Sequence, residues 1–254
     1  WGDKMDGAKL AVLPFLRAQN HTEIDHLMVS HSDIDHAGGF LRLLENIPIN
    51  KISSGQPGAL NSAIDSNKSL IGSSKSARID ACHAGESWIW DGVLFEIFSP
   101  GLSTFDNRFK SDNDRSCVLK VTAGQQSVLI PGDLSAKAER VLVEKYGTDL
   151  QSTILIAGHH GSRYSNSQIW LDTVKPEVVL FSAGYQNRYK FPNVDTLARI
   201  PQSVSWLNTA CSGGVAYVLG VQSFNRNPTN EARKNQRKWY HHRCLESEKG
   251  VSYQ

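Results

Sequence analysis

His31, Asp33, Asp35 and His36 place two imidazoles and two carboxylates within six residues, and all four are ligand types for divalent cations. The apolar run Leu27-Met28-Val29 before them reads as the end of a buried strand, and Gly38-Gly39 after them lets the chain turn into the amphipathic run Phe40 to Glu45. Donors on a strand-to-helix turn sit on stiff supports and point into one cleft, which a metal site requires. A polar turn that only caps a helix needs one such side chain, a part Asp35 could play, and not four. Two later turns carry the same chemistry. Asp133 closes Leu129-Ile130-Pro131-Gly132-Asp133, and His159 and His160 lie in Gly158-His159-His160-Gly161-Ser162. One carboxylate can hold two cations roughly 3.5–4 Å apart, as in two-metal hydrolases. Taken alone, Gly132-Asp133 is ordinary turn chemistry. Which of His159 and His160 would bind metal, and which would touch substrate or pack, is open at this level. Ser162, Arg163 and Ser165 are donors suited to an oxyanion; Arg163 can grip phosphate with two nitrogens or form a surface ion pair.

The elements that must carry these residues follow from apolar periodicity. The pattern predicts a helix from Ala8 to Ala18 kinked or broken at Pro14, a strand from Glu23 to Ser30, and a loop with short helical pieces from Ser53 to Ser76. Strands at Ser87 to Trp90 and Val93 to Phe98 flank Asp91-Gly92, a strong hairpin signal, and a polar loop runs from Ser99 to Asn113. A second hairpin joins Val118 to Val121 with Ser127 to Ile130 across Gly124-Gln125-Gln126. Then come a helix at Ala136 to Lys145, a strand at Thr153 to Ala157, a helix at Gln168 to Val174 and a strand at Val178 to Ser182. Val215 to Leu219 reads as the last core strand. This alternation implies a mixed sheet covered by helices.

The chain has 254 residues, 40% hydrophobic and 20% charged, enough for one large core or two small ones. No internal repeat and no linker stands out before about residue 222. Mean hydropathy is −0.35, no apolar run approaches the ~20 residues of a membrane span, and no secretory signal is present. A start at Trp1 marks the chain as part of something longer. A net charge of +2 excludes a surface that is basic all round. Arg226, Arg233, Lys234, Arg237, Lys238 and Arg243 nevertheless cluster near the end with Trp239, Tyr240, His241 and His242, either to touch a polyanion or as a solvated extension. Cys82, Cys117, Cys211 and Cys244 form no Cys-x-x-Cys pair, which argues against a zinc ribbon or a thioredoxin-like role. Cys117 reads as a small core residue, and the spacing yields no disulfide connectivity.

The first motif resembles the His-x-His-x-Asp-His signature of the metallo-β-lactamase superfamily, with Asp33 in place of the second His. The ordered set His31 to Gly39, Trp88 to Phe95, Ser116 to Leu119, Pro131 to Leu134, His159 to Ser162 and Asn187 to Tyr189 resembles the C-terminal domain of ComEC-type DNA internalization competence proteins, over residues 8 to 222. The resemblance implies an α/β fold, the metallo-β-lactamase αβ/βα four-layer sandwich with its N-terminal strands missing, over residues 1–222, and a basic C-terminal tail over 223–254. It implies two divalent metal ions. Asp35, His36 and His159 or His160 would hold one, His31 and Asp33 the other, and Asp133 would bridge. Asp35 and Asp133 would be catalytic, and Ser162, Arg163, Ser165, Asn187 and Arg188 would bind substrate. The oxygen-rich donor set favours Mn²⁺, with Zn²⁺ as the alternative. The implied activity is a DNA nuclease that degrades the non-imported strand. Its partners would be single-stranded DNA and the membrane channel portion of the parent chain. The parent would sit in the bacterial cytoplasmic (inner) membrane with this domain, itself soluble and without a span, on the extracytoplasmic side. Rival readings are a small-molecule phosphodiesterase or lactonase on the same fold, and a non-catalytic DNA-binding module.

The sequence departs from the family pattern in three places. The opening strands with their Asp-Thr-Gly-like turn are absent before Ala8. Phe191 stands before Pro192, where the family often has His. No His lies between Asp91 and Val118, where many relatives place a ligand, leaving Asn113, Asp114 or Ser116 as replacements.

Overall fold

Parallel strands form the centre of both compact units of this protein, in a computed structural model that describes residues 6–67, 78–101, 111–220 and 224–231. The first unit comprises the chain up to Glu86 together with Ile97–Val118. Its sheet has strands β1 (Ile24–Val29), β2 (Ile49–Ser54) and β3 (Ile79–Ala81), parallel and in that order. Val29, Ile52 and Ile79 pack with Phe40 and Leu44 of a helix at Phe40–Asn46 and with Leu60 and Ile64 of a helix at Pro57–Ser66. Each such buried side chain contributes about 1.5–3 kcal/mol. The helix at Pro57–Ser66 runs ten residues where only short helical pieces were expected. Pro57 starts it, because a proline at the first turn has no N–H to leave unpaired, and Leu60 and Ile64 face the core one turn apart. Residues 68–76 of that predicted loop and 102–110 of the next lie outside the described residues. Near the N-terminus a π-helical turn at Ala8–Val12 passes into an α-helix at Leu13–Ala18, so the break expected at Pro14 is a change of winding and not a stop.

The second unit comprises Ser87–Glu96 and the chain from Leu119 onward. A seven-stranded sheet runs in the order β10-β9-β8-β7-β6-β5-β4, with β4 at Ser87–Trp90, β5 at Val93–Ser99, β6 at Val118–Ala123, β7 at Gln126–Ile130, β8 at Ile154–Ile156, β9 at Val178–Phe181 and β10 at Ser205–Asn208. The β4–β5 turn is Asp91-Gly92 as expected, and both residues have positive φ, the geometry that matches strand twist. In the β6–β7 hairpin Ala123 pairs with Gln126, so the turn is the two residues Gly124-Gln125 and not three. Strands β7 to β10 are all parallel. Leu129, Leu155, Trp170, Val178 and Phe181 are fully buried around them.

Strand β10 was not foreseen, because Ser205-Trp206-Leu207-Asn208 is short and polar at both ends. Conversely, the strand expected at Val215 to Leu219 shrinks to Val215–Ala216. It pairs with Asn230–Glu231 in a separate two-stranded ribbon, outside the main sheet. Of the predicted basic tail, Arg226 is an ion-pair partner of Glu177 at 3.0 Å, and residues 232–254 lie outside the described residues. Among the described residues no helix is long and apolar enough to cross a membrane.

Candidate metal centre

The first unit presents its donors directly after β1. His31 is fully buried, and its Nε2 lies 3.6 Å from Asp33 Oδ2. That separation is too long for a hydrogen bond. It suits two ligands about 2.0–2.2 Å from a shared cation. Asp33, not Asp35, occupies the cap position of the short helix Ile34–Ala37, yet its side chain makes no cap hydrogen bond.

Ser30 Oγ stands 3.1 Å from His31 Nδ1 and 3.0 Å from His36 Nδ1, and the two rings lie 4.2 Å apart. A hydroxyl oxygen has two lone pairs, so it can accept from both Nδ1–H groups and leave both Nε2 atoms as ligand nitrogens. Asp35, on the same short helix, is exposed. Gln56 Oε1 accepts from Ser32 N at 2.8 Å and fixes the loop from β2. Gly55 before it has no room for a side chain, because a Cβ would stand 1.9 Å from Arg115 O and 2.7 Å from Ser30 O.

Cys82 and Cys117 form a disulfide, which corrects the reading of Cys117 as a plain core residue; Cys211 is disulfide-bonded as well. The Cys82–Cys117 bond lies close to the donors. Cys117 N donates to Ser30 O at 2.9 Å, and the neighbouring Ser116 hydroxyl lies 3.4 Å from His31 Nδ1. Of the three replacements weighed for the missing His, Ser116 therefore meets the Nδ1 side of His31. Asp114 is buried, and Asn113 accepts the Ser116 hydroxyl on its carbonyl.

The second unit presents its donors at the C-terminal ends of neighbouring parallel strands, the usual place for sites in such sheets. Strand β7 runs into Asp133, β8 into His159 and His160, and β9 into Ser182. Asp133 Oδ2 lies 3.7 Å from His159 Nε2 and 3.8 Å from His160 Nε2, again ligand spacing and not hydrogen-bond spacing. His160 Nδ1 donates to Ser182 O at 2.8 Å. A carbonyl only accepts, so the proton is on Nδ1 and the Nε2 lone pair faces Asp133. His160 thus has its ring orientation secured by the backbone.

Both histidines have left-handed backbone, with φ of 49° and 54°, a conformation that costs about 1–3 kcal/mol for a residue with a side chain. A buried polar network holds it. Asn166 Oδ1 accepts from Gly158 N, and its Nδ2 donates back to Gly158 O. Glu139, almost fully buried, accepts from Asn166 N and Ser167 N. Burial lifts its carboxyl above the ordinary value of 4.5, against the pull of those amides and of Arg199. The Arg199 guanidinium donates to the carbonyls of Arg163, Ser165 and Asn166. Sequence reasoning missed Ser30, Gln56, Glu139, Asn166 and Arg199. Only the buried acidic position of Glu139 on the apolar face of the helix Ala136–Tyr146 offered a signal.

The predicted substrate contacts divide. Ser165 is fully buried and donates to Leu134 O at 2.6 Å, and Ser162, 3% exposed, accepts from Tyr164 N. Asn187 bonds to Gly184 O and to both backbone groups of Phe191. These three side chains brace loops. Arg163 and Arg188 are exposed and carry the remaining expectation of direct contact.

Parallel strands with helices against them, hairpins beside them and donors in the turns make a mixed α/β fold. Among solved structures, the metallo-beta-lactamase fold protein YhfI from Bacillus subtilis aligns with a TM-score of 0.48 at 10% identity, covering 80% of this chain and 81% of that one. In sequence the chain is 37% identical over 215 residues to Competence protein ComA of Neisseria gonorrhoeae, covering 84% of this chain and 28% of that protein. It is 33% identical over 239 residues to Recombination protein 2 of Haemophilus influenzae, covering 92% of this chain and 26% of that protein. Over these stretches the chain is similar in sequence to competence proteins of the ComEC family. It spans about a quarter of the length of these relatives. No family profile matches it.

Proposed function

We propose that this chain is the metal-dependent nuclease part of a DNA-uptake protein, hydrolysing phosphodiester bonds in the strand that is not imported. The observation that carries the reading is Asp133 at ligand spacing from two imidazoles, one of them pinned through Nδ1 by Ser182 O. By donor type, the pair Asp35 and His36 and the pair Asp133 and His160 each suit a divalent cation. The family resemblance would assign Asp35, His36 and His159 or His160 to one cation, His31 and Asp33 to the other, and Asp133 to both. Bound cations would supply Lewis acidity at a phosphoryl oxygen and a nucleophilic water at neutral pH. The protein's own groups hold the donors in place through Ser30 and Ser182, and Arg163 and Arg188 steer the phosphate backbone. Mn²⁺ should serve better than Zn²⁺, because two or three carboxylates make the set oxygen-rich.

Similarity to competence proteins supports DNA as the substrate and a membrane channel as the remainder of the parent protein. The disulfide Cys82–Cys117 supports a place on the extracytoplasmic side, since such bonds persist in oxidising compartments. The test is reconstitution of metal-free protein with Mn²⁺ or Zn²⁺, followed by assays on linear DNA, a choline phosphodiester and a lactone. DNA cleavage with Mn²⁺ ahead of Zn²⁺ is expected. Preference for either small substrate would overturn the DNA reading. DNA binding with no cleavage by the wild type, unchanged in Asp133→Ala, would make this a non-catalytic module.

A further inference from the structure

The loop after β9 carries a row of rings that holding a metal does not require. Phe191 stacks on His160 at 6.3 Å and 26°, and meets His159 edge-on at 5.8 Å. Tyr189 stacks on Phe191 at 5.5 Å and 20°. The Arg188 guanidinium lies 4.6 Å from the centre of the Tyr189 ring and donates to the Tyr189 hydroxyl. The row therefore begins on an imidazole beside Asp133 and ends at Tyr189, which is 58% exposed. Asn187 makes it rigid by accepting from Phe191 N at 2.8 Å and donating to Phe191 O at 2.8 Å. An ordered, exposed tyrosine adds little to a core, but an aromatic face beside a cation fits a ligand with both a π-system and a phosphate.

We propose that Tyr189 and Phe191 form a stacking platform for the unpaired bases of a single nucleic-acid strand whose phosphate is engaged at the His159–His160 end. Arg188 then leaves the Tyr189 ring for a backbone phosphate as a base takes its place. A base inside a duplex already has both faces covered by its neighbours, so the platform selects single strands. This rests on the DNA reading above.

The test uses fluorescence anisotropy with the metal-loaded protein and phosphorothioate oligothymidylate, which resists cleavage, next to an abasic strand of equal length and a duplex. Tyr189→Ala should weaken oligothymidylate binding about tenfold, the usual worth of one stacked base, while Tyr189→Phe keeps it. The abasic strand should bind the wild type weakly and be indifferent to Tyr189→Ala. Arg188→Ala should weaken both strands alike and lower the salt slope by about 1. Thermal melting of each variant confirms that the fold is intact, as the exposure of Tyr189 leads one to expect. If Tyr189→Ala binds oligothymidylate like the wild type, or the abasic strand binds equally well, the platform is wrong and the DNA reading survives. If the wild type binds no oligonucleotide, the DNA reading itself fails.

Discussion

The loop from Ser30 to Gly39 and the loop from Gly158 to Asn166 each present two imidazoles near a carboxylate, but different forces hold them. The first is local and covalently braced. One hydroxyl, Ser30 Oγ, serves both rings, a short helix spaces His36 from His31, and the Cys82–Cys117 disulfide anchors Cys117, whose N–H donates to Ser30 O. The second is strained and buried. Two successive left-handed residues persist because Asn166, Glu139 and Arg199 satisfy the backbone around them. Strain of this kind survives only where the surroundings over-determine it. Equivalent donors can thus be prepared by a cross-link or by a polar network.

The sharpest break in the comparison is at the carboxylate of the second loop. Asp133→Ala should lower cleavage by more than about 10³-fold, since it removes a ligand that no neighbour replaces. Steady-state rates with saturating Mn²⁺ measure it, and a loss under tenfold would remove Asp133 from the centre.

Next in size is the cross-link. Removing Cys82–Cys117, which closes a separation of 35 residues, should destabilise the protein by about 3–4 kcal/mol in the chain-entropy account. Guanidinium unfolding of Cys82→Ala/Cys117→Ala against the wild type gives the number. The loss should be confined to the first unit, so hydrogen exchange at Gly158 and Asn166 should stay slow; faster exchange there would mean the two loops are not held independently.

Two small truncations then separate a ligand support from a loop support. Ser30→Ala should lower metal affinity about 10–100-fold with little change in stability. Asn166→Ala should cost about 2–4 kcal/mol of stability, because it strands two buried groups of Gly158. Metal titration and urea unfolding of both variants check the division. The reverse pattern would exchange the roles assigned to the two loops.

The smallest effect is a pH slope. Burial raises the carboxyl of Glu139 above 4.5, so the native state binds its proton more tightly than the unfolded state. Stability therefore falls as pH rises from 4.5 to the raised native value. Glu139→Gln should lack that slope, read as the urea midpoint against pH. Parallel profiles would show that the buried acid does not govern the second loop's response to pH.

Much of the candidate site was legible because its signals are local. The donor spacing of His31 to His36, the Gly38-Gly39 turn and the Asp91-Gly92 hairpin each lie within a few consecutive residues. The strands ending before Asp133 and His159 follow from short apolar runs. The hydrogen bond of Ser165 lies beyond such local signals. Whether a serine in a loop faces an anion or the carbonyl of Leu134 depends on a chain segment 31 residues away.

By itself the sequence determined which residue types could bind metal, where strands hand over to turns, and the family the chain resembles. Those follow from side-chain chemistry, apolar period and motif order. Only the tertiary structure decided that Cys82 pairs with Cys117 and that Ser182 O pins His160. It also decided that β10 forms the edge of the main sheet, and that Glu139 and Arg199 hold the loop of the second histidine pair. Each of these depends on which distant backbone group or sulfur the packed strands bring alongside, and no local period encodes that partner.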